Sequence, residues 1–189
     1  MKSLLQCASA VLLLYAGMAH ADSYTDAIGT FKSAGKSGAF FDKAYGYAVF
    51  PTIGGAGFLV GAAHGKGRVY AQGVLTGDTT MNLLSAGFQA GAKAYSEIIF
   101  FEDKRAVDAF ESGNFEFGAD ASAVAITAGA EAGAGTTGAS SGASADSSNA
   151  NTKGSYHNGM AVFTIAKGGL MYAATISGQK FDFTPRGGS

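Results

Sequence analysis

The chain has 189 residues with 13 basic and 14 acidic side chains, long enough for one domain with a sizeable core and too evenly charged to be drawn to nucleic acid by electrostatics alone. Glycine is the outlier at 29 residues, far above the roughly 7% of ordinary proteins, and with no Gly-X-Y repeat it points away from collagen and towards tight turns and close backbone approach.

Residues 1–21 read as a secretory leader: Lys2 precedes the apolar run Val11–Tyr15, and Ala19-His20-Ala21 supplies the small–x–small cleavage pattern. Cleavage after Ala21 would start the working chain at Asp22 and place it in the periplasm or outside the cell. Cys7 precedes the apolar run and would leave with the leader, so residues 22–189 form one expected domain that holds without disulfides.

Tyr24, Ile28 and Phe31 follow i, i+4, i+7 spacing and predict a helix from residue 23 to about 42, weakened in its second half by Gly35 and Gly38. Tyr45–Ile53 reads as a strand that Pro51 pushes towards an edge or a bulge. Phe58–Ala63 and Arg68–Leu75 read as strands joined by a turn at His64-Gly65-Lys66-Gly67, and Asp78 as the cap of a short helical turn reaching Leu84. Ala86–Phe101 alternates as a long half-buried strand, with Ile98 and Phe100 on one side and Lys93, Tyr95 and Glu97 on the other.

Glu102-Asp103 opens a second helix whose buried stripe is Ala106, Val107 and Phe110, stopped at Gly113. Phe115 to Ala125 alternates again as a strand. Residues 133–155 are Gly, Ala, Ser, Thr and Asn with little apolar bulk, an expected mobile surface loop. Met160–Ala166, Leu170–Ile176 and Lys180–Thr184 read as closing strands. The sum is an α+β, β-dominated fold: a compact antiparallel barrel or sandwich of about eight strands, with an N-terminal helix outside and one short internal helix.

Motifs for chemistry are weak. Gly55-Ala56-Gly57 to Gly61 is one residue too long for a dinucleotide fingerprint and no helix follows it. His64 and His157 have no partner at metal-ligand spacing, and the serines carry no nucleophile signature. The expectation is therefore a non-catalytic domain without metal or cofactor. An outer-membrane barrel fits the leader, glycines and alternation. Strands shorter than the 9–11 residues needed to cross a bilayer, and two helices, weigh against it.

Several ordered blocks then resemble the SYLF domain: Lys43-Ala44-x-Gly46-x-Ala48-x-Phe50-Pro51, Gly57-Phe58 with Gly61, and Gly87-Phe88-Gln89-Ala90-Gly91 through Ile98-Ile99-Phe100. The helix with Lys104, Ala106 and Phe110, Gly118 to Ser122, and Tyr156 with Lys167-Gly168-Gly169-Leu170 extend the likeness over about residues 24–184. That family includes a lipid-binding, actin-regulating domain of endocytic proteins and many secreted bacterial relatives. The resemblance implies binding to anionic phospholipid, phosphoinositides being the eukaryotic ligand, with an N-terminal amphipathic helix contributing. Actin is not an expected partner in this compartment, and no particular protein partner is indicated. On a continuous helix Lys32, Lys36 and Lys43 project at about 0°, 40° and 20°, a basic stripe beside Tyr24, Ile28 and Phe31, the six candidate lipid-binding residues. The other readings are an envelope protein-interaction or structural module, and apolar residues that merely pack on the domain.

Overall fold

The computed structural model describes residues 23–57, 60–86, 91–118, 121, 123–126, 156–167 and 176–187. The leader, the 133–155 loop and residues 170–175 of one expected strand lie outside the described residues, as do Phe58 and Phe88.

Helix α1 runs through residues 23–33 and α2 through Gly35–Phe41. Four long strands follow: β1 (Gly46–Gly57), β2 (Val60–Ala71), β3 (Val74–Ala86) and β4 (Gly91–Phe101). Helix α3 is Lys104–Glu111, and then come β5 (Phe115–Glu116), β6 (Ala123–Ile126), β7 (Met160–Lys167) and β8 (Gln179–Pro185). All eight strands belong to one sheet in the order β5-β8-β3-β2-β1-β4-β7-β6. Every pairing is antiparallel except that of β6 with β7. The fold is thus β-dominated α+β, and its strands form one curled sheet instead of two packed face to face. The curl follows from connectivity. β5 and β6 lie at opposite edges, yet the chain passes from Glu116 to Ala123 in seven steps, at most about 25 Å fully extended.

Curling gives the sheet an inner face, which is filled, and an outer face, which the helices cover over part of β1, β4 and β7. Inside lie Phe50, Ile53, Met81, Ile99, Phe101 and Phe181, capped by Ala106, Val107 and Phe110 of α3. Outside, Ala27 and Phe31 of α1 pack on Val49, Ile98, Phe100 and Phe163, with Phe40 and Phe41 of α2 beside them. The run Ile98-Ile99-Phe100-Phe101 therefore feeds both faces alternately, and all four side chains are fully buried. This corrects the half-buried reading of β4: its second half is buried on both sides, and Glu97 faces the interior.

Two other expectations fail for related reasons. His64–Gly67 is not a turn; β2 runs straight through it, with Gly65 and Gly67 facing inward. A Cβ on Gly67 would stand 2.6 Å from Cδ1 of Phe50, and one on Gly65 would stand 2.5 Å from Cγ1 of Ile53, so these glycines make room for large inner side chains. The turn lies at Gln72-Gly73, where φ is 50° and 79°, the left-handed pair of a two-residue hairpin. Likewise Asp78 to Leu84 is strand, not helix, because Thr79, Met81 and Leu83 alternate into the core.

The expected strand from Phe115 to Ala125 divides into β5 and β6 at opposite sheet edges. Strands β1 to β4 have 12, 12, 13 and 11 residues, so strand length does not argue against a membrane barrel. The helix-covered part of the outer face does, since a bilayer-facing wall would not carry helices docked on its aromatic residues. Pro51 makes a bulge in a central strand: pairing slips between Val49 and Thr52 on one side and between Phe50 and Ile53 on the other. Ser96 Oγ donates to the Pro51 carbonyl at 2.8 Å and satisfies the interrupted backbone. Helix α3 forms as its sequence predicts, with the Asp103 side chain accepting from Ala106 N at 2.9 Å and Gly113 at φ 87° beyond its end.

Candidate functional site

The six candidate residues divide by environment. Phe31 is fully buried, and Tyr24 and Ile28 are half-buried against the same outer-face cluster. Lys32, Lys36 and Lys43 are exposed. Lys32 Nζ stands 5.3 Å from the ring centroid of Phe41, within cation–π reach. The apolar side of α1 is thus occupied by the sheet, and the basic side faces water.

The three lysines do not lie on one helical stripe. Ala34 takes an extended conformation, with φ −79° and ψ 111°, and separates α1 from α2. Ser37 Oγ donates to the Phe31 carbonyl at 2.6 Å and to that of Ala34 at 3.2 Å, fixing the break. Gly38 sits so close to the same turn that a Cβ there would lie 2.5 Å from the Lys32 carbonyl oxygen. Lys43 follows the end of α2 altogether. Gly35, Ser37 and Gly38 are the sequence signal for this break.

A second cationic group flanks α1, and periodicity gave no hint of it. The Arg68 guanidinium lies over the Tyr24 ring at 4.1 Å. Arg68 is 3.8 Å from Asp78, which Arg186 also holds through two hydrogen bonds of 2.7 and 3.0 Å. Two arginines sharing one aspartate leave one positive charge beside Tyr24. Burial raises the Tyr24 hydroxyl above the usual tyrosine range, against the opposing pull of Arg68.

Among the described residues the interior holds one acidic group, missed because alternation alone put it outside. Glu97 is fully buried, and Gln179 Nε2 donates to its Oε2 at 3.0 Å and to Tyr95 Oη at 3.2 Å. Burial pushes the Glu97 carboxyl up from 4.5 to about 7, with the Gln179 hydrogen bond pulling the other way. Among the described residues no group of three or more His, Cys, Asp or Glu side chains is placed to hold a metal. His64 is exposed in β2, not in a turn, with Nδ1 2.8 Å from Asn82 Oδ1. Gly55, Gly57 and Gly61 belong to paired strands, without a helix N-terminus among the described residues there to meet a phosphate.

Residues 82–183 match the family described as "Las17-binding protein actin regulator", Ysc84. The match takes in Glu97 and Gln179 and leaves out α1 and α2. Beta cell expansion factor A of Aeromonas veronii is 34% identical over 152 residues, which cover 75% of this chain and 46% of that protein. The chain therefore spans about half the length of that curated relative.

Proposed function

The chain belongs to the Ysc84, or SYLF, family, and on that premise we propose that it is a non-catalytic domain that binds anionic phospholipid surfaces from outside the cell or from the periplasm. Binding is peripheral and runs through Lys32, Lys36 and Lys43. The observation that carries this reading is the division of α1 and α2: their apolar residues are spent on the sheet, while Lys32 and Lys36 on them and Lys43 just beyond are exposed. Near an anionic surface each lysine contributes about 1 kcal/mol, roughly 3 kcal/mol together before screening, which suits reversible attachment. Because the aromatic face stays docked, contact is electrostatic and not by helix insertion, a refinement of the amphipathic-helix expectation. The test is co-sedimentation with phosphatidylserine or phosphatidylcholine vesicles. Pelleting with the anionic vesicles alone supports the reading, and equal pelleting with both overturns it.

The family description, which names Las17 binding, favours a second reading as a protein-interaction module. An open groove of about 1080 Å³ on the sheet, lined by Gly54, Ala62, His64, Asn82 and the exposed Leu84, offers such a module a surface. Crosslinking of a protein partner with no preference for anionic vesicles would favour it.

A further inference from the structure

Glu97 lies on β4 and Gln179 on β8, strands separated in the sheet by β3, β2 and β1. Their 3.0 Å hydrogen bond therefore crosses the inside of the curl and joins distant parts of one sheet. Thr164 of β7 is the register partner of Glu97 and shares its face. Glu97 and Gln179 are fully buried and Thr164 is 1% exposed, yet Glu97 Oε1, Gln179 Oε1 and Thr164 Oγ1 have no protein partner.

Three buried oxygens without partners, only one of them a hydroxyl, make a site short of protons. The donor count calls for a water but does not fix the charge, since a water donating to Glu97 and Gln179 and accepting from Thr164 would meet all three with Glu97 ionised. Burial away from any cation is what favours the neutral form. A neutral Glu97 supplies an Oε1–H donor, and a single water completes the set by accepting from it and donating to Gln179 and Thr164. Three such bonds are the usual complement of a buried water. We propose that Glu97, Gln179 and Thr164 form an internal binding site for one water molecule, held by a neutral Glu97 carboxyl, that ties β8 to β4 and β7 across the inside of the curled sheet.

The surroundings favour the neutral form. The inner face that Glu97 shares is lined by Tyr95 of β4, Phe50 and Ile53 of β1, Met81 of β3, and Gln179 and Phe181 of β8. Lys167 of β7 and Lys180 of β8 are exposed, the first bonded to Thr52 Oγ1 and the second 3.4 Å from Glu116. Among the described residues no cation reaches the carboxyl. A cavity of about 140 Å³ lined by Val162, Phe117, Ile176, Glu116 and His157 lies beside it, Val162 being two residues from Thr164 on the same face of β7.

The site is tested on the full chain by following the Glu97 side-chain carboxyl carbon by NMR across pH, together with water-to-protein cross-relaxation at Thr164. The expected result is a midpoint near pH 7 instead of near 4.5, with a long-lived water signal at Thr164 that Thr164→Val abolishes. A Glu97 midpoint in the ordinary glutamate range, or the lack of any long-lived water there in the wild-type chain, would overturn the proposal. Gln179→Glu is a second variant with a distinct readout. Two carboxyls sharing the site should titrate in two separated steps, and simple superposition of two ordinary glutamate curves would count against it.

Discussion

Replacing Gly67 with alanine tests how this interior is packed. The new Cβ would lie 2.6 Å from Cδ1 and Cε1 of Phe50 and 2.9 Å from Cζ, about 1 Å inside ordinary carbon contact. Phe50 has no room to yield, being fully buried with its ring 5.6 Å from that of Phe181. Overpacking of this kind costs about 1–3 kcal/mol, while loss of glycine freedom in the unfolded chain returns about 0.4–1 kcal/mol. The net expectation is a loss of about 1–2 kcal/mol, or about 3–6 °C in Tm for a chain of this length. Gly54→Ala is the control: it is exposed in the same sheet, with nothing within 4 Å of the added Cβ, and should stabilise by about 0.5 kcal/mol. The assay is urea unfolding of both variants by circular dichroism, with Phe50→Leu added to Gly67→Ala as a partial rescue. Equal effects at the two glycines, or no rescue, would refute the claim that inward strand glycines are there for their neighbours' rings.

Glu97→Gln should flatten the pH dependence of stability. Because the folded chain holds this proton more tightly than the unfolded chain, wild-type stability is complete below pH 4.5 and falls as pH rises to about 7, by about 3 kcal/mol in all. The amide variant should escape that loss in unfolding titrations between pH 5 and pH 8, and an unchanged slope would contradict it. Phe31→Ala should free α1 from the sheet at a cost of about 3 kcal/mol, seen as faster amide exchange in α1 with the sheet still protected.

Local signals were readable where the answer is local. Asp103 as cap, the Ala106, Val107 and Phe110 stripe, and Gly113 as stop all lie within one short segment and describe α3 fully. Pro51 announced an edge strand or a bulge, and only the place of β1 in the middle of the sheet, set by neighbours far along the chain, leaves the bulge. The glycines of β2 misled because the residue type serves two ends, turns and close approach, and only the ring of Phe50 decides between them. Glu97 misled because alternation assigns faces but cannot say that both are covered. The division of residues 115–126 between opposite sheet edges is invisible to any short window, since it depends on how far the sheet curls. At the candidate site the shared face of Tyr24, Ile28 and Phe31 was legible, whereas the break at Ala34, which splits the lysine stripe, and the Arg68–Asp78–Arg186 cluster needed three dimensions.

The account rests on a closed interior that leaves recognition to charged groups outside. Its most direct test is a salt titration of binding to phosphatidylserine vesicles, run on the wild-type chain and on one carrying Lys32→Gln, Lys36→Gln and Lys43→Gln. Binding by the wild-type chain should weaken steeply as salt rises from about 0.01 to about 0.15 M and should be largely lost in the variant. Salt-insensitive binding shared by both chains would show that apolar surface leaves the sheet to enter the bilayer, and would contradict the account.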